Sequence, residues 1–295
     1  MSEQANANKA LVLRFMNAAQ SADWGTMSDC IVEDYAQVFP RPGVPGMPAG
    51  TNSRAEIMRF VDGLSAYQSG SKRTEIECCI AEDDMVALQV RMQAVTARGE
   101  AYDNFYAHFY RCRDGRLVKA WEYADTEYAA SKLIPDALNK PPLAPGSHPE
   151  SPAAVEPDPV GEPKKATALR FMRAAQSADT ATVAECVTED FTLIFPRPGR
   201  EGMPHSAEGR DTILEFLRHK LPYKPGSLKM TVESILGEGD VVAIQFRMNA
   251  VTARGEPYEN FYVQFHQFRG DRIARSWEYC DTLYGGKMLL ANSRQ

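Results

Sequence analysis

The 295-residue chain has no run of 18 apolar residues, so no membrane-spanning helix and no membrane partner are expected. Its six cysteines include no CxxC pair, which argues against a zinc knuckle or a disulfide framework and for buried, reduced thiols. No GxGxxG follows a strand and no GxxxxGK[ST] occurs. A nucleotide-type cofactor therefore has no signature here, and none is expected. A basic excess is missing too: 33 Lys plus Arg stand against 39 Asp plus Glu, a net charge of −6. Nucleic acid, which needs a concentrated basic stripe, is not an expected partner. The opening MSEQANANK reads as neither a signal peptide nor a lipidation site, so the expectation is a cytoplasmic protein.

What is present is a globular composition, 44% hydrophobic and 9% aromatic, written twice. Residues 9–137 align with 165–293 at a constant offset of 156 without a gap, and 59 of those 129 pairs are identical. RFMNAAQSAD answers RFMRAAQSAD, FPRPG and AVTARGE recur, and WEYAD answers WEYCD. Copies of this length can each bury a core, so the repeat predicts two domains, residues 1–139 and 165–295. The intervening residues 140–164 are rich in proline and read as an extended spacer. The two domains are expected to pack as a pseudo-two-fold dimer within one chain, with further homo-oligomerisation open. None of the five histidines recurs at an equivalent position, so no metal site shared by the copies is expected.

Each copy reads as helices first and strands last, an α+β domain with helices covering one face of an antiparallel sheet. Helical spacing runs over residues 9–22 and a shorter helix over 24–32, followed by a strand over 35–39. Ser53 with Glu56 three residues later is a capping box. Two-residue turns at Gly99-Glu100 and Asp114-Gly115 would place three rows on one sheet face. These are Arg91, His108 and Trp121; Gln93, Tyr106 and Tyr123; and Val95, Asn104 and Asp125. In the second copy the rows become Arg247, Gln264 and Trp277; Asn249, Tyr262 and Tyr279; and Val251, Asn260 and Asp281. On this register Glu122 is the one charge of the opposite, otherwise apolar face.

A carboxylate held among rings loses hydration and moves toward the working range of a general acid or base, and phenols and amides beside it can hold a developing oxyanion. Asp125, Asp281, Tyr106, Tyr262 and His108 are thus candidate catalytic residues. Asn104, Asn260, Arg91, Arg247, Trp121, Trp277, Tyr123 and Tyr279 are candidate substrate contacts. Arg41 and Arg197, in the repeated FPRPG loop, join them. The alternative is that this polar face is the contact between the two domains. The copies differ at His108, which becomes Gln264, and at Tyr110, which becomes His266.

The order of elements, the Asn104-Phe-Tyr106 strand, the Asp-Gly turn and the closing WEYAD-T resemble the SnoaL-like branch of the nuclear transport factor 2 superfamily, over nearly the whole of each repeat. The resemblance implies a cone-shaped curved sheet around a helix-capped pocket, with an acid/base Asp on the last strand at the positions of Asp125 and Asp281. It implies a cofactor-independent lyase, isomerase or cyclase acting on a hydrophobic aromatic or polycyclic small molecule. Formaldehyde-releasing lyases of lignin-derived diarylpropane diols are one such class. A non-catalytic ligand-binding or assembly module is the alternative function.

Overall fold

A computed structural model describes residues 2–40, 49–62, 66–140, 161–196, 205–219 and 222–289. The expected spacer falls mostly outside them, and so do Arg41 and Arg197. Each copy folds into a six-stranded sheet with helices against one side. In the first, α1 (Glu3–Ser21) and α2 (Trp24–Asp29) precede β1 (Ile31–Val38), β2 (Gly50–Thr51) and α3 (Arg54–Asp62). Then follow β3 (Arg73–Glu82), β4 (Met85–Val95), β5 (Ala101–Arg113), β6 (Arg116–Ala124) and α4 (Thr126–Leu133). The second copy repeats this as α5 (Pro163–Gln176), α6 (Thr180–Cys186), β7 (Val187–Ile194), β8 (Ser206–Glu208) and α7 (Arg210–His219). It closes with β9 (Lys229–Glu238), β10 (Val241–Val251), β11 (Pro257–Arg269), β12 (Arg272–Cys280) and α8 (Thr282–Leu289). Strand orders are β2-β1-β6-β5-β4-β3 and β8-β7-β12-β11-β10-β9. The sheets are mixed rather than wholly antiparallel, because β1 and β7 join β6 and β12 in parallel. Among the described residues no helix is long and apolar enough to cross a membrane.

Local chemistry sets these boundaries. The second helix stops at Asp29, short of the expected 32, and the strand starts at the β-branched Ile31 and Val32, whose side chains favour a pleated backbone. The capping box forms: Ser53 Oγ accepts from the Glu56 amide at 3.2 Å, and Glu56 Oε2 accepts from the Asn52 amide at 2.7 Å.

The strand register departs from the expected one, for two separable reasons. Between β4 and β5 the chain makes a five-residue loop, 96–100, in which the Glu100 amide donates to Thr96 Oγ1 at 3.1 Å. Arg91 therefore faces Phe105 and not His108, and Val90 faces Tyr106. Between β5 and β6 the Asp114-Gly115 turn is as expected, with both residues at positive φ and Arg113 opposite Arg116. A bulge then inserts Val118 and shifts the partners by one, so His108 faces Glu122 in place of Trp121. Odd shifts exchange sheet faces, and the anticipated rows divide between the two sides.

The inner face carries Leu88, Val90, Tyr110 and Ala120 against Val12 and Phe15 of α1. The outer face carries Ala87, Ala107, Phe109, Trp121 and Tyr123, and these pack against Ala243, Val263, Phe265 and Tyr279 of the other domain in one shared cluster. Phe109 meets Phe265 edge-on at 6.4 Å. Polar contacts recur with partners exchanged: Gln89 Nε2 donates to the Tyr279 hydroxyl at 3.1 Å, and Gln245 Nε2 to that of Tyr123 at 2.7 Å. Lys9 pairs with Glu238 and Lys165 with Glu82, each Glu also accepting a backbone amide from the opposite domain. This reciprocity is the expected pseudo-two-fold pairing.

One group at this seam is poorly accommodated. Glu233, the bulged residue of β9, is 3% exposed; neither carboxylate oxygen has a hydrogen-bond partner among the described residues, and Arg247 Nε stands 3.9 Å away. Burial pushes its carboxyl from the ordinary 4.5 up to about 8, against the pull of Arg247. A pKa raised on folding gives stability that is complete below 4.5 and is lost as pH climbs through 8. Glu233→Gln should therefore raise the melting temperature clearly at pH 9 and much less at pH 5; an equal effect at both, followed by circular dichroism, would contradict this account.

Candidate functional site

With the outer faces consumed by pairing, the inner face of each sheet is where side chains meet open space. In the second domain that space is a cavity of about 400 Å³. Phe171 and Met172 of α5, Ile213 and Leu217 of α7, and Phe246 and Met248 of β10 supply its apolar walls. Phe216, the one large hydrophobic residue left exposed among those described, also borders it. Alternation along the strands delivers Tyr258 and Tyr262 from β11, with Gln264 beyond them, and Glu278 from β12. Gln264 Nε2 donates to Glu278 Oε2 at 2.7 Å, which orients the carboxylate.

Beside it lies a phenol cluster. The Tyr258 and Tyr262 hydroxyls are 2.7 Å apart, and Asn260 Nδ2 donates to Tyr258 at 3.0 Å and to the Asp281 carbonyl at 3.1 Å. Burial drives the pKa of both phenols well above the ordinary 10, so they stay protonated and serve as donors. The first domain repeats the cluster: Tyr102 and Tyr106 are 2.7 Å apart, with Asn104 Nδ2 on Tyr102 at 2.9 Å and on the Asp125 carbonyl at 3.2 Å. There the carboxylate is Glu122, with His108 Nδ1 3.9 Å from Oε2. His108 stacks between Tyr106 and Tyr110, and burial lowers its pKa to about 4, leaving a neutral imidazole at neutral pH.

The anticipated residues thus separate. Tyr106, Tyr262 and His108 share the inner faces, and Asn104 and Asn260 are wholly buried braces for the phenols. Trp121 and Tyr123 belong to the seam between the domains, with Trp277 packed at its margin, while Tyr279 packs in the seam and also borders the second cavity. Arg91 forms a two-pronged ion pair with Asp103 at 2.9 and 2.6 Å, and Arg247 lies near Glu233 and Glu259. Asp125 and Asp281 cap α4 and α8, accepting the Tyr128 and Tyr284 amides at 3.1 and 3.0 Å. Each also accepts a hydroxyl hydrogen bond from the other domain, Asp125 from Thr282 and Asp281 from Thr126. Asp125 reaches across to border the second domain's cavity. The residues missed were Glu122, Glu278 and the second phenol of each pair. The only carboxylate of its strand, repeated at the same place in both copies, was the available signal.

The SnoaL-like domain family matches residues 12–120 and 168–276, more than half of the chain. The protein belongs to the SnoaL-like family, with two copies of its domain in tandem. No curated protein matches the chain. Among solved structures, a protein of unknown function from Burkholderia pseudomallei, described as similar to nuclear transport factor 2, is 16% identical. It covers 45% of this chain and 99% of its own, with a TM-score of 0.41. A putative SnoaL-like polyketide cyclase from Jannaschia is 20% identical, covers 46% and 98%, and scores 0.38. An LEH-like epoxide hydrolase of M. tuberculosis is 14% identical, covers 44% and 92%, and scores 0.36.

Two predictions follow from this SnoaL-like geometry. His108 has a pKa lowered on folding from 6.5 to about 4, so the stability it contributes is complete above 6.5 and is lost as pH falls through 4. His108→Gln, the residue of the second copy, should flatten the fall in melting temperature across that window; an unaltered pH profile would contradict the burial. Asp125→Ala and Asp281→Ala should each lower stability by about 1 kcal/mol or more, since each removes a helix cap together with an interdomain bond; chemical denaturation measures it.

Proposed function

We propose that the protein is a cofactor-independent acid/base enzyme, a lyase, isomerase or cyclase, whose substrate is a neutral hydrophobic aromatic or polycyclic molecule held in the second domain's cavity. The observation that carries this reading is the conjunction of one oriented carboxylate, Glu278, with the protonated Tyr258–Tyr262 pair on the next strand, inside an otherwise mainly apolar space. An apolar wall excludes water and strengthens each polar contact within it. Glu278 takes a proton from a carbon beside a carbonyl, and the Tyr262 hydroxyl donates to the oxygen on which charge develops. Returning that proton at another carbon gives isomerisation, attack by the carbanion gives cyclisation, and the reverse of aldol addition gives cleavage. Loss of formaldehyde from a diarylpropane diol is a related cleavage that needs no carbonyl. The carboxylate takes the proton of the primary hydroxyl, the C–C bond to that carbon breaks to release formaldehyde, and its electron pair forms the alkene as the benzylic hydroxyl leaves as water. Membership of the SnoaL-like family supports the small-molecule part of this reading, and the absence of a membrane-length helix among the described residues is consistent with a cytoplasmic enzyme.

Three carboxylates border the cavity, Asp125, Glu127 and Glu278. Glu278 is assigned the proton because Gln264 orients it on the strand beside the phenol pair, whereas Asp125 Oδ1 is already engaged by Tyr128 and Thr282. The test is exchange of the α-protons of 2-tetralone in D2O, followed by NMR with the full-length protein. Glu278→Gln should slow protein-catalysed exchange by about 100-fold or more, and Tyr262→Phe by about tenfold, with melting temperatures near that of the wild type. Unchanged exchange in Glu278→Gln, or a loss that appears instead in Asp125→Asn, would overturn the assignment. No catalysed exchange in the wild type, with 2-tetralone still bound, would favour a ligand-binding module.

A further inference from the structure

The two inner walls differ most at one corner. In the second domain the wall joining the end of α5 to the start of β9 presents Ala175, Gln176, Leu228 and Met230 to the cavity. At the offset of 156 the first domain has Ala19, Gln20, Lys72 and Thr74 there. Lys72 Nζ donates to the Ala19 carbonyl at 2.8 Å, which holds the ammonium group against the wall that Leu228 lines in the other copy. This lysine is half-buried and forms no ion pair among the described residues. One hydrogen bond leaves two of its three N–H donors available.

Neighbouring changes run in the same direction. Leu193 of the second cavity is replaced by Gln37, whose Oε1 accepts from the Tyr35 hydroxyl at 2.7 Å where the other copy has Phe191. Gln264 is replaced by His108, and Phe246 by the smaller Val90, which removes a ring from the wall. Glu122 keeps 29% of its side chain accessible, so the inner face around it is reachable from solvent. Burial draws the Lys72 pKa down while the Glu122 charge supports it, and His108 adds no positive charge at neutral pH.

We infer that the first domain holds a second small-molecule site, selective for an aromatic ligand that carries a carboxylate, and that Lys72 is the residue that selects it. A single ammonium group beside apolar side chains fits a monoanion; a phosphate would call for several cations or a guanidinium fork. The chain then pairs two related inner faces of opposite preference, the first for an acid and the second for a neutral molecule. This rests on the reading that the inner faces take small molecules, and it adds a ligand class that the second cavity does not share.

The test compares 2-naphthoate with its neutral counterpart 2-naphthamide by isothermal titration calorimetry on the full-length protein. The wild type should bind one equivalent of naphthoate. Lys72→Leu, which installs the residue of the other copy, should weaken naphthoate by about tenfold or more while leaving naphthamide unchanged. Lys72→Met provides a second version should the first unfold. Leu228→Lys should create a second naphthoate equivalent. Naphthoate affinity unmoved by either Lys72 variant, or naphthamide binding without naphthoate binding, overturns this inference and leaves the proposed function standing. Failure of both probes to bind the wild type overturns both.

Discussion

The packing of one sheet's outer face against its counterpart is the constraint on which the rest of the molecule depends. Phe109, Trp121 and Tyr123 are nearly inaccessible because the other copy covers them. Large buried side chains of this kind contribute on the order of 1.5–3 kcal/mol each, so the seam is a core and not a loose contact. Once that face is closed, only the inner faces can receive a ligand. The reciprocal Thr282–Asp125 and Thr126–Asp281 bonds fasten the same arrangement at the ends of the last strands. The carboxylates that a family pattern marks for chemistry are here engaged in holding the two halves together.

Much of this was readable in the residues. The constant offset implied two like domains, and a two-fold pairing followed from their likeness. The Asp114-Gly115 turn and the Ser53–Glu56 capping box depend on short-range chemistry and formed as their residue types require. The face assignment did not survive, and the reason is local. A bulge at Val118 and a five-residue loop at 96–100 leave no strong mark in the pattern, yet each shifts register by an odd number and turns a strand over. Glu122 was conspicuous as the one charge of an otherwise apolar face. Moving it to the inner face makes it a partner for His108 and explains why its equivalent, Glu278, faces Gln264.

What duplication preserved and what it released are equally informative. Both copies retain two phenols 2.7 Å apart with an asparagine amide fixed on one of them, a unit that keeps donors protonated inside an apolar wall. The surrounding wall diverged freely, toward phenylalanine and leucine in the second copy and toward lysine, glutamine and histidine in the first. A shared seam makes this possible, because either inner face can change without disturbing the contact that holds both domains together.

The most direct test of the central claim, that chemistry is confined to the inner faces, is a crystal structure of the protein soaked with 2-tetralone. The account predicts the ketone inside the second sheet, with its oxygen within hydrogen-bonding distance of the Tyr262 hydroxyl and its ring against Phe246. Ketone bound along the seam between the domains, with the inner cavity empty, would contradict it.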